Sequence, residues 1–113
     1  MASFDQKLLE ENFGDDRDIL GELFLVFSEE APKMMTNIST SISDNDSDSL
    51  RLHAHTLKGA VGNFFATDCV ETSFELETMG RAGDVDQERA KELYNALESH
   101  LEAFSKDFKG YLG

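Results

Sequence analysis

The sequence predicts an all-α fold: an antiparallel four-helix bundle with a short additional N-terminal helix. Three observations carry this. Apolar residues recur at three- and four-residue spacing along most of the chain. No segment alternates apolar with polar residues, as a half-buried strand would. The stretches between the periodic runs are short and turn-like, which favours antiparallel neighbours. At 113 residues the chain has room for one core, so residues 1–113 are expected to form a single domain.

A short leading helix is expected around Phe4, Leu8 and Leu9, ending between Asn12 and Gly14. The second element starts near Ile19, with Asp15 or Asp16 as its cap, and its apolar residues run from Leu20 to Ile42. Pro32 lies inside that run and is expected to kink or divide it. Two further segments cover about 46–65 and 67–80; Ser43 to Asp48 opens the first and Gly80-Arg81-Ala82-Gly83 closes the second. Ala90, Leu93, Leu97, Leu101, Phe104 and Phe108 then define a long final helix over about 87–110. There is no internal repeat, low-complexity tract or linker.

Composition narrows the partners. The net charge is −13 and Lys/Arg residues do not cluster, so nucleic acid and anionic membrane surfaces are not expected partners. No apolar run is long enough to span a bilayer, and the N-terminus lacks a basic-then-apolar leader. The single cysteine, Cys69, permits neither an internal disulfide nor a Cys-based zinc site, and a reducing cytoplasmic setting is expected.

The stretch 53–64, HAHTLKGAVGNF, is the unusual one. With about 100° per residue and His55 at zero, Lys58 falls at about −60°, Gly59 at about +40° and Gly62 at about −20°. Leu50, Leu57, Val61 and Phe64 cluster on the opposite side, so His55 is expected to face solvent. Each glycine costs roughly 1 kcal/mol against alanine inside a helix. Glycine suits a place where another surface must approach the backbone. An exposed imidazole in a bare patch, with a lysine one turn away, fits a histidine that carries an anionic phosphoryl group. His53 points about 160° away, towards the edge of the core, where a hydrogen-bonded structural role is expected. His100 is expected at the core boundary of the last helix.

At these residues the chain resembles the histidine-containing phosphotransfer (HPt) domains of multistep two-component relays. Ala54-His55-Thr56-Leu57-Lys58-Gly59, continued by Gly62 and Asn63, carries the resemblance. Leu23 to Pro32 ahead of it, and Leu76-Glu77 with Gly80-Arg81-Ala82-Gly83 behind it, extend the resemblance over nearly the whole chain. It implies that His55 accepts a phosphoryl group from an aspartyl phosphate of one receiver domain and passes it reversibly to another. It implies that Lys58 balances the phosphoryl charge and that Glu77 hydrogen-bonds the imidazole, a role glutamine fills in several relatives. Glu77 would then hold the other ring nitrogen and raise its basicity. Gly59 and Gly62 would give clearance for docking. The implied partners are response-regulator receiver domains and a hybrid sensor histidine kinase, with this chain a monomer. No cofactor is expected on this chain; the family places Mg²⁺ on the receiver. The chain departs from the family at Phe65, commonly glycine, and at Cys69, usually leucine.

Other chemistries fit poorly. No P-loop or ATP-binding signature is present, so no autonomous kinase is expected. Asp44 to Asp48 looks like the start of an EF-hand, but Ser49 stands where glycine belongs and His55 where glutamate belongs. His53 and His55 diverge by about 200° on a helix and do not form a metal pair. The Glu-x-x-His motif of diiron bundles is absent, with Leu97 three residues before His100. Two alternatives stay open: a receiver-binding module without phosphotransfer, and the ATP-fed HPt domain of a chemotaxis-type kinase.

Overall fold

The computed structural model describes residues 3–113. Five helices follow in order: α1 Gln6–Phe13, α2 Arg17–Ser43, α3 Ser47–Gly62, α4 Thr67–Ala82 and α5 Gln87–Leu112. Helix α2 packs on α3, α3 on α4, α4 on α5, and α5 returns to α2, closing a four-helix bundle. Short connections between successive helices make neighbours run antiparallel, as the sequence predicts. No helix among the described residues is long and apolar enough to cross a membrane.

Local chemistry sets the boundaries. Asp5, Asp16, Asp46 and Asp86 each accept a hydrogen bond from the backbone N–H three residues on, which satisfies a donor that the first helical turn leaves free. Between the two candidate caps of α2, Asp16 is the one used. Helix α4 follows Ala66, which gives it no side-chain cap, and is closed by Gly83, whose φ of 80° suits a residue without a side chain.

Two boundaries differ from expectation. Pro32 does not divide α2, which continues to Ser43 as one helix. Proline removes the N–H that would reach the Ser28 carbonyl. Burial on both sides of it outweighs that loss: Phe24 and Phe27 precede it, and Met35, Ile38 and Ile42 follow, all in the core. Helix α3 stops at Gly62 rather than running on to 65, because Phe65 takes the left-handed conformation with φ 56°. Glycine, which the resemblance leads one to expect there, adopts such a φ without strain. Phe65 packs part of its ring against the core, and its carbonyl accepts the Asp5 N–H at 2.8 Å. The residue closes the end of α3 and anchors the approach to α1.

The core divides by composition. Phe4, Phe24, Phe27, Phe64, Phe104 and Phe108 form an interlocked aromatic cluster with ring centroids 5.0 to 6.3 Å apart. Most pairs meet edge to face or tilted, the geometries that ring quadrupoles favour. Helices α3 and α4 approach much more closely at one point. A Cβ on Gly80 would lie 2.5 Å from the Arg51 backbone nitrogen and 2.6 Å from the Ser47 oxygen. Glycine is therefore required where α4 crosses α3. This close crossing sets Glu77, one turn earlier on α4, against the middle of α3.

Candidate functional site

Helix α3 buries Leu50, Ala54, Leu57 and Val61 and turns its other face outward. His55 stands on that outer face, with its side chain 62% exposed. Lys58, one turn on, lies beside it, and α4 brings Glu77 up from below. The Glu77 side chain is only 2% exposed. A buried carboxylate needs partners, and this one has three. His55 Nδ1 lies 3.2 Å from Oε2, Arg81 Nη2 donates to the same oxygen at 2.7 Å, and Lys58 Nζ sits 2.7 Å from Oε1. The lysine contact is an ion pair without hydrogen-bond alignment.

These contacts fix charge states. The Lys58 ammonium, foremost, holds the Glu77 carboxyl below its ordinary value; burial opposes it and the His55 contact assists. Glu77 is therefore an anion at neutral pH and can only accept hydrogen bonds. The ring nitrogen facing it, Nδ1, must carry the proton when the imidazole is neutral. That leaves the lone pair on Nε2, on a side chain that reaches solvent. The arrangement leaves an available ring nitrogen on a histidine whose carboxylate partner also holds two cations.

The structure thus brings together His55, Lys58 and Glu77. It also gives Lys58 a different first partner from the one expected. The sequence reading assigns its charge to an anion on His55, whereas in this state it pairs with Glu77 and lies 5.0 Å from the Phe74 ring centroid. Gly59 opens on free space, with nothing within 4 Å of an added Cβ. Gly62 is half-buried, and its Cβ position faces Val70 of α4 at 4.0 Å. His53 is half-buried as expected, but its ring makes no hydrogen bond among the described residues. His100 is likewise half-buried. Cys69 is fully buried, and burial pushes its thiol up to about 12, so it stays protonated and unreactive.

Sequence reasoning gave Arg81 no role. Its signal was the four-residue spacing from Glu77, which places two helical side chains on one face. A second signal is charge distribution. Residues 49–67 contain no Asp or Glu, but include Arg51, Lys58 and both histidines of the motif, in a chain of net charge −13. Beside this face, Leu23 and Val26 of α2 are exposed and line a groove with Ala60 and Asn63 of α3.

Comparison with curated proteins and with solved structures gives no match. The family model for the Hpt domain matches residues 22–107, a span that includes His55, Lys58, Glu77 and Arg81 and covers well over half of the chain. The exposed histidine, its helical setting and this match together place the chain in the Hpt domain family, whose members serve phosphotransfer in two-component systems and interact with receiver domains and histidine kinases.

Proposed function

We propose that this chain is a phosphorelay intermediate, a single Hpt unit that carries a phosphoryl group on His55. The reading rests chiefly on the His55–Glu77 contact, which leaves the Nε2 lone pair available on an exposed ring. In the forward step, Nε2 attacks the phosphorus of a receiver's aspartyl phosphate. The N–P bond forms as the P–O bond to the aspartate breaks, and the aspartate leaves as a carboxylate. The proton stays on Nδ1, where the Glu77 carboxylate stabilises the positive ring. Attack by a second receiver's aspartate on the same phosphorus reverses these bond changes and restores the neutral imidazole. Lys58 and Arg81, both paired with the carboxylate that holds the ring, are the cations assigned to neutralise the transferred group.

The surroundings support a receiver as partner. Such a domain presents an acidic pocket, with its Mg²⁺, to the incoming histidine. The carboxylate-free stretch of α3 is complementary to it in charge. Gly59 offers backbone without a side chain, and the exposed Leu23 and Val26 offer an apolar shelf beside it. The upstream donor in this reading is the receiver of a hybrid sensor histidine kinase, and the chain acts as a cytoplasmic monomer with no cofactor of its own.

Incubation with a phosphorylated receiver tests this. The expected product is an acid-labile, base-stable phosphoryl group that is absent in His55→Gln. Transfer that survives the substitution removes His55 as the carrier. Receiver binding with no phosphohistidine selects the interaction module instead.

A further inference from the structure

Glu77 has a use beyond orienting the ring. Among the described residues, the cations within ion-pair distance of Glu77, apart from the imidazole itself, are Lys58 and Arg81, both at 2.7 Å. Lys58 stands one turn from His55 on α3, and Arg81 one turn from Glu77 on α4. A phosphoryl group on Nε2 brings two negative charges or nearly so, and with the protonated ring the modified residue has a net charge close to −1. Glu77 then still holds the protonated ring at Nδ1, but shares its surroundings with a second, doubly charged anion on the far side of that ring. Any contact that Lys58 or Arg81 makes to the phosphoryl oxygens is shared with, or drawn from, a carboxylate that is 2% exposed. An under-neutralised buried carboxylate is strongly unfavourable.

Building on the phosphotransfer reading, we propose that Glu77 is a rival anion as well as a positioning residue: it competes with the phosphoryl group for Lys58 and Arg81, and so keeps phosphohistidine at high transfer potential. A neutral glutamine would still accept the Nδ1 proton but release both cations to the phosphoryl group. The carboxylate therefore biases the carrier towards giving its cargo away, whereas the amide biases it towards keeping it. The same exchange of partners makes Lys58 and Arg81 reporters of the phosphorylation state.

The test needs no receiver. Phosphoramidate transfers its phosphoryl group to histidine and releases ammonia, so a fixed ratio of phosphoramidate to ammonium defines an equilibrium occupancy of His55. ³¹P NMR, with His55→Gln as the blank, reads that occupancy in folded protein. Glu77→Gln is expected to raise the phosphohistidine equilibrium constant about tenfold, the scale of one charged hydrogen bond. The gain should vanish in a chain that also carries Lys58→Met and Arg81→Met, since no cations remain to be released. An unchanged or lower constant in Glu77→Gln overturns the proposal, and so does a gain that persists without the two cations. If Glu77→Gln fails to fold, wild-type protein still decides: the side-chain ¹⁵N resonances of Lys58 and Arg81 must shift on phosphorylation, and fixed resonances overturn the idea. Failure of the phosphotransfer reading shows separately, as absence of transfer from a phosphorylated receiver to a chain that phosphoramidate does modify.

Discussion

At one end of the molecule, six phenylalanines from the N-terminal segment, α2, α5 and the α3–α4 connection interlock with one another. Helices α3 and α4, whose backbones come closest at Gly80, bury small and polar side chains, Ala54, Thr72, Ser73 and Glu77, among their apolar ones. The first region buries large apolar area and has no titratable group within it. The second adds to its apolar burial an anion held at fixed distances from its cationic partners. The two kinds of packing lie on one bundle but answer different demands: one holds the helices together, and the other sets distances between charged atoms.

Substitutions that strike one region alone sharpen this contrast. Phe104→Ala should have the largest effect. Phe104 is fully buried and meets five other phenylalanines, so truncation is expected to cost about 3–5 kcal/mol in denaturant unfolding. His55 in the fraction that stays folded should still be phosphorylated. Loss of phosphorylation in folded Phe104→Ala protein would erase the distinction between the regions.

Gly80→Ala should come next, at about 1–3 kcal/mol, because its Cβ meets backbone that cannot rotate away. Here stability and phosphotransfer rate should fall together, since parting the helices draws Glu77 from His55. A rate equal to wild type would mean that the close crossing does not position the site.

A smaller effect is expected with pH. The Lys58 contact above all, aided by His55, lowers the folded-state pKa of Glu77. Its ionised form therefore contributes stability that is complete above the ordinary value of 4.5 and disappears as pH falls through the lowered one. The difference in denaturant midpoint between wild type and Glu77→Gln should shrink across that acid window. A difference independent of pH would show that Glu77 carries no such linkage.

Phe65→Gly should change least. It relieves strain of roughly 1–2 kcal/mol at a left-handed residue and loses part of a half-buried ring. The two nearly cancel, so the thermal midpoint should move by only a few degrees.

The fold was legible because bundle packing repeats every turn: Leu93, Leu97, Phe104 and Phe108 announce their face without knowledge of any neighbour. Of the kink or break expected at Pro32 the break does not occur, since the local penalty is visible in sequence while the compensating burial on both sides is tertiary. The site was half legible. His55, Lys58 and the glycines lie on one helix, where spacing gives geometry directly. Glu77 came from resemblance, because no period links residues on different helices. Arg81 and the pairing of Lys58 with Glu77 escaped, since which partner a lysine picks depends on a crossing that Gly80 permits and no pattern encodes.

The carboxylate-free stretch of α3 has one more consequence. An acidic protein diffusing towards this chain of net charge −13 meets repulsion from most directions, and less of it over the carboxylate-free stretch of α3. Mutual repulsion then works as a guide, rejecting misaligned collisions at long range and leaving the histidine face as the open approach. Added salt would blur that guidance, admitting more encounters but fewer that are correctly turned.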